Sequence, residues 1–582
     1  MSKSGTAPVD EFIHACHIPK LPDESDAVVV KTHRHFPDGR VEPHLEVIKK
    51  PHRSFYLTKP AFRDHEFKKE WEKLERLDRY DVSNYELTDK LRNALNPGWN
   101  SRRGFQPFMQ LCDSPYVYGA DISIEVLIKH KYMKLFEASG LKPTELTTGF
   151  FDIEKDVLGR EYPNVITVTH ENRVYTAILA EFFRVKQLDG SYRPGNLDEF
   201  VEFSRRTLDH HINELIDDHV EKNPKSNLKT LVATNPFQYF FYVGKSVIDI
   251  IRWIFVQIHR NKTDFIGIWN LGYDIPEILD TIKSSGVSYE SILCPPDLDD
   301  RYKYVRYQKD NSDVDSIFKL WHWLHATSYS QFVDSQNLFS ILRPGRETSM
   351  KLNDILAIND LGGKLTFKDG NMETETLSDL DWHRYMQENE PYQYIVYNQF
   401  DCIGLRLMEL KNGDISSMMV LGGVSRLCKW PRQTRKIADA FYFYGLESGV
   451  VIASPGQNME TEFDTLIKKV GGAVLRPELT TDIGMRVFSD RPDIITMLHP
   501  FTGDIDFSGM YPNSTIVGNI CKETKISCGV EIIGMDVSAL WNYYSLVVSM
   551  RENAIQIGET YYGLPGYTTM DDRFSRFLEM SQ

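Results

Sequence analysis

The chain has 582 residues, 41% hydrophobic and 26% charged, an ordinary globular balance that excludes a collagen-like fibre, a disulfide scaffold or a disordered tail. At roughly 150 residues per domain that length predicts about four domains. Formal charge is −15, which argues against nucleic-acid binding by the bulk surface, but residues 27–110 carry 17 Lys and Arg against 12 Asp and Glu, so the acidic excess lies elsewhere, where carboxylates gathered for metal would add to it.

The seven cysteines form no CxxC pair, which suits free thiols in a reducing compartment. There is no apolar run of about 18 residues, and MSKSGTAPVDEF at the N-terminus lacks an apolar signal core. A cytoplasmic protein with no membrane partner is expected.

Residues 1–26 are rich in Ser, Pro and Asp and are expected to be flexible. A mixed α/β N-terminal domain is expected over 27–145, with a solvated, charged helix in AFRDHEFKKEWEKLERLDRY. Next come FFDIE and two alternating runs, Val165–Thr169 and Val174–Leu179, joined through the polar Glu171-Asn172-Arg173. This pattern predicts three consecutive antiparallel strands. Residues 184–230 look like an insertion with a polar helix around Asp198–Glu221. Val247–Ile258 repeats apolar positions at three- and four-residue steps, as a buried amphipathic helix does. It feeds a strand over Phe265–Trp269, and a second helix is expected to open at Asp274 with Pro276 in its first turn. Strands and helices in this order make the fold class α/β (α+β).

Carboxylates stand at the ends of these elements. Asp152 and Glu154 are two apart on the first strand, so their side chains share a face. D-x-E alone is a weak signal. Asp274 follows Trp269-Asn270-Leu271-Gly272-Tyr273 at a strand-to-helix junction, where an N-cap role is as natural as a ligand role. Tyr397 and Asp401, in YNQFDCIGLRLMEL, lie four apart on a helix face, which suits either a packing pair or a site.

In their order, FFDIE, NLGYD and YNQFD resemble the three exonuclease motifs (D-x-E, N-x2-Y-D and Y-x3-D) of phage-type family-B DNA polymerases. The resemblance implies an RNase H-like domain over 146–412 that degrades single-stranded DNA ends 3′→5′. It also implies a catalytic set of Asp152, Glu154, Asp274, Tyr397 and Asp401. Asp152 would bridge two metals and the other three carboxylates would complete their shells. Tyr397 would orient the attacking water, and Asn270 would support the junction or the DNA. Phosphodiester hydrolysis needs an activated water and a stabilised leaving oxygen, which two hard cations about 4 Å apart provide. Mg²⁺ or Mn²⁺ with oxygen ligands fits that requirement.

Further on, Lys469 precedes the pair Gly471-Gly472 in KVGGAVLRP, and TGDIDFSGMYPNS follows. The latter resembles the first polymerase motif of family B. Asp506 would hold both metals of nucleotidyl transfer. Phe507, Ser508, Gly509, Met510 and Tyr511 would form the nucleotide-binding segment, with Tyr511 excluding a 2′-hydroxyl. Gly509 stands where the family usually has Ser, and Lys469 where a template-contacting Tyr is usual. Lys469, Gly471 and Gly472 would touch DNA.

No second catalytic Asp motif and no Lys-bearing fingers helix follows Asp506. The resemblance thus implies a connecting segment over 413–445 and a partial palm with the start of the fingers over 446–582. The remaining motifs would lie on a further segment or on a separately encoded chain, as in split phage polymerases; a truncated chain would read the same. Implied partners are DNA, as primer-template and single-stranded 3′ end, dNTPs, a second polymerase chain and, as a further candidate, a sliding clamp. The competing expectations are a stand-alone 3′→5′ DNA exonuclease with a vestigial palm, and a non-catalytic DNA-binding replisome component.

Overall fold

Residues 9–18, inside the segment expected to be flexible, form the first strand of an antiparallel sheet. This sheet runs β1 (Val9–Ile18), β2 (Ala27–His35) and β3 (Val41–Lys49). The β-branched run of β2 is buried on both faces, and pairing along its whole length holds β1 in place. The computed structural model describes residues 7–65, 68–95, 108–312, 320–343, 349–367 and 377–453, with the backbone of short strands at 525–526, 554–557 and 560–563. The chain divides into two units, Met1–Gln457 and Asn458–Gln582. In the second, the three short strands form an antiparallel sheet with 560–563 in the middle. Lys469, Gly471, Gly472 and the segment from Asp506 to Tyr511 lie outside the described residues.

The stretch from Ala61 to Tyr80 is not the expected helix. Trp71–Lys73 is a strand paired antiparallel with Val450–Ile452, and Leu77–Ser83 is a strand paired with His52–Thr58. Glu72 is buried between Lys69 and Arg76, and the buried Lys68 donates to the Cys112 carbonyl. Strand pairing and these partners override the helix propensity of Glu and Lys.

The fold is mixed α/β. Its centre is a six-stranded sheet made of β4 (Thr148–Lys155), β5 (Pro163–His170), β6 (Arg173–Leu179), β7 (Gln238–Gly244), β8 (Phe265–Ile268) and β9 (Gln331–Asp334). Their spatial order is β7-β6-β5-β4-β8-β9. The first three strands are consecutive and antiparallel, as their alternation predicts, with Glu171 at φ 50° in the β5–β6 turn. β7 runs parallel to β6, and β8 runs parallel to both β4 and β9.

The helices that cover this sheet are α1 (Leu197–Lys222), α2 (Val247–Asn261), α3 (Leu271–Ser284), α4 (Ser335–Leu342) and α5 (Pro391–Asn412). α2 carries the expected apolar stripe and opens on a capping box between Ser246 and Asp249. α5 is buried almost all round, as a helix in the middle of a large protein is. It meets a row of polar but buried side chains: Thr167 donates to Asn398 at 2.6 Å, and Gln399 donates to Thr176 at 2.9 Å. Gly267 in β8 permits a close approach, since a Cβ there would lie 2.3 Å from Ser335 Oγ and 2.6 Å from the Phe150 ring.

α3 begins at Leu271, not Asp274. Asn270 therefore takes the N-cap position, Asp274 falls in the first turn, and Pro276 lies inside the helix, where it removes one backbone donor. Among the described residues no helix is long and apolar enough to cross a membrane, and five cysteines are free and buried.

Candidate metal centre and cleft

Three sequence-predicted carboxylates converge. Asp152 and Glu154 project from one face of β4 toward α5, which carries Asp401. One oxygen from each lies within 4.8 Å of the others. Asp401 is 2% exposed. Lys364 Nζ donates to its Oδ2 at 2.6 Å, while its Oδ1 is buried with no hydrogen-bond partner. Three carboxylates this close, one of them with a buried unpartnered oxygen, are an all-oxygen donor set, which could hold a hard divalent cation.

Asp274 is also buried but stands outside that close group. It is coupled to it electrostatically: burial first, then the charges of Glu154 and Asp334, hold the Asp274 carboxyl well above the usual range. The Asp152 carboxyl is likewise pushed well up, by burial and by Asp401, Asp274 and Glu154. Burial also raises Glu154, against the hydrogen bond that Tyr394 gives it. Several carboxylates crowded out of water resist ionising together, and a bound cation relieves that cost.

α5 aims one stripe of side chains at the group. Tyr394, Tyr397, Asn398 and Asp401 recur at three- and four-residue steps. Tyr394 donates to Glu154 at 2.5 Å and Asn398 donates to Asp152 at 2.6 Å. Tyr397 accepts from Lys364 Nζ at 2.7 Å and rests against Trp382, with ring centroids 5.0 Å apart. Burial works against the Lys364 ammonium, but Asp401, Asp152 and Glu154 together hold its pKa above the ordinary lysine value.

Sequence reasoning missed Lys364, Tyr394, Asn398 and Asp334. The spacing of Tyr394 and Asn398 relative to Tyr397 and Asp401 was a readable signal. Lys364 follows a glycine pair in a loop, where no periodicity marks it. Asp334 ends β9 and caps α4 by accepting from the Asn337 N–H at 2.9 Å, and burial raises its pKa to about 7.

The group sits beside an open cleft of about 1290 Å³. Trp269, Asn270, Tyr273, Trp382 and Tyr397 line it, with Lys364 at the carboxylate end. Asn270 thus faces the cleft, and its side chain makes no cap bond to α3. Asp334, Asp354 and Asp379 line it too, so rings, amide and ammonium donors and carboxylates share its wall. No protein-family model and no curated protein matches the chain.

Proposed function

We propose that the unit Met1–Gln457 is a divalent-metal-dependent 3′→5′ DNA exonuclease of RNase H-like fold, the proofreading part of a phage-type family-B DNA polymerase. The observation that carries this reading is the convergence of Asp152, Glu154 and Asp401 on one point beside a ring-lined cleft, with an Asp401 oxygen left unpartnered. Three antiparallel strands followed by parallel strands entered through helices support the RNase H-like assignment.

In this reading Asp152, Glu154 and Asp401 would hold divalent metal, with the buried Asp274 as the further carboxylate. Bound there, it would supply the positive charge that activates water and steadies the leaving oxygen. Asn398 and Tyr394 fix the carboxylates of Asp152 and Glu154 by donating to them. Lys364 holds the Tyr397 hydroxyl and Asp401 together, so that the hydroxyl is set to orient the attacking water. The exposed Tyr273 ring at the cleft would receive a terminal base, with the buried Trp269 and Trp382 forming the wall behind it. DNA synthesis through Asp506, with dNTPs as substrates, belongs to the second unit and a further segment or chain.

The test uses the full chain with a 5′-labelled single strand in Mg²⁺ or Mn²⁺. A ladder shortening from the 3′ end is expected. Asp152→Ala should abolish it with an unchanged circular dichroism spectrum, and wild-type turnover in that variant would sink the assignment. Primer extension only when the product of the adjacent reading frame is added would select the split polymerase over a stand-alone nuclease. No shortening with any divalent ion would leave the non-catalytic DNA-binding component.

A further inference from the structure

The reverse face of the central sheet carries a second cavity. On β6, Thr176 points toward α5, where it meets Gln399. Its neighbour Tyr175 therefore points the other way, toward α2. There Tyr175 lies opposite Phe240 of β7 in register, and the two rings stack with centroids 4.9 Å apart at 17°. Trp253 of α2 meets the edge of Tyr175 at 6.2 Å and stacks on Tyr242 at 5.4 Å. Phe240 nonetheless stays 40% exposed. β7 is the outermost strand of the sheet among the described residues, so the platform lies at an open edge.

Two guanidinium groups flank these rings. Arg173 begins β6, and Arg260 lies on the same side of α2 as Trp253, seven residues on. Both are exposed and both line the cavity, whose volume is about 640 Å³. Neither makes an ion pair among the described residues; Arg173 reaches only the Asn261 amide oxygen, at 3.4 Å. No Asp or Glu lines the cavity, in a chain whose formal charge is −15. An apolar ring left in water beside two uncompensated arginines lacks a flat, anionic counterpart.

We propose that this cavity binds a nucleotide unit of single-stranded nucleic acid, with the base on Phe240 and Trp253 and the phosphate between Arg173 and Arg260. The site is separate from the carboxylate group, on the opposite face of the sheet. It requires only stacking and phosphate contact, so it does not rest on the nuclease reading.

The experiment uses the full chain in EDTA, where no hydrolysis intervenes, and an oligothymidylate bearing 5-iodouracil. Photo-cross-links mapped by mass spectrometry should fall on Tyr175, Phe240 or Trp253. In fluorescence anisotropy, Arg173→Ala/Arg260→Ala should flatten the dependence of log affinity on log salt by about 0.7, the loss of one neutralised phosphate on a single strand. Phe240→Ala should weaken binding by about fivefold or more, the low end of one lost base stack, while Phe240→Tyr should retain it. Melting temperatures of the variants exclude misfolding as the cause. dTMP displacing the cross-link would show that a free nucleotide also enters, and failure of dTMP to compete would assign the site to the strand alone; each is consistent with base-and-phosphate recognition. Cross-links confined to the Trp382–Tyr397 cleft, or wild-type affinity and salt slope in both alanine variants, would overturn the proposal. Mg²⁺-dependent shortening by the wild type is scored separately, so failure here is distinguishable from failure of the nuclease assignment.

Discussion

Lys364 shows how one side chain sets the state of the carboxylate group. Its ammonium touches Asp401 at 2.6 Å and the Tyr397 hydroxyl at 2.7 Å, so it acts on the groups that would meet the reacting phosphate. Lys364→Ala should lower kcat for 3′-end hydrolysis roughly 10²-fold, the usual loss on deleting one preorganised donor. KM should change little, and a raised KM with intact kcat would instead mark a substrate-binding lysine. Asp152→Asn tests the crowding of charge. Without metal it should stabilise the chain, because it removes one of the crowded carboxylates that push each other's pKa values up. Mg²⁺ should raise the wild-type melting temperature and not that of the variant; equal shifts would place the ion elsewhere. At this scale Asp152, Glu154 and Asp401 were legible because strand and helix periodicities put them on defined faces and the order of their motifs resembles that of a known family. Lys364 was not, because a loop residue after two glycines has no period to betray it.

Elements are joined by a buried charge that the sequence concealed. Asp264 immediately precedes β8, and its Oδ1 meets Lys31 Nζ of β2 at 2.5 Å and His33 Nε2 at 2.8 Å. Its Oδ2 accepts from both the N–H and the hydroxyl of Thr147, each at 2.8 Å, just before β4. One carboxylate thus ties the N-terminal sheet to the two strands that position Asp152 and Asn270. Burial opposes its charge, but the bonds from His33 and Lys31 prevail and hold its pKa below the usual carboxylate range. Asp264→Ala should cost about 3–5 kcal/mol, since it strands a fully buried ammonium. Adding Lys31→Met should recover much of that loss in urea unfolding, and a second loss that simply adds would show that the two do not act as a pair. Strands, helices and their order in the central sheet were readable from local periodicity. This junction was not, because a lysine within a run of valines gives no clue to a partner so distant in the chain. The same limit explains Trp71–Lys73, which pairs with the distant Val450–Ile452.

For the whole unit Met1–Gln457 the consequence is a pH response composed of opposing parts. Buried histidines stand in two of its sheets. His14 in β1 is buried and bonds the Tyr329 carbonyl, and His170 at the end of β5 bonds Thr263. Burial first, with Lys31 acting on His14 and Arg173 on His170, lowers both to about 4. An unfolded histidine titrates near 6.5, so between about pH 6.5 and 4 the unfolded chain takes up protons that the folded chain refuses. Stability from these two groups is therefore complete above about 6.5 and is lost as pH falls to about 4. The carboxylates of the metal centre have raised pKa values and push in the other direction, gaining stability over the acid range. A bare pH profile of the wild type mixes the two, whereas the difference between wild type and His170→Gln or His14→Gln removes the carboxylates, which are common to both. Urea midpoints measured from pH 7.5 to 4.5 should show the wild type losing ground to either variant as pH falls. A difference independent of pH would mean that these rings take up protons in the fold as they do in the unfolded chain, and a wild type that gains on the variants as pH falls would mean that the fold holds the rings charged.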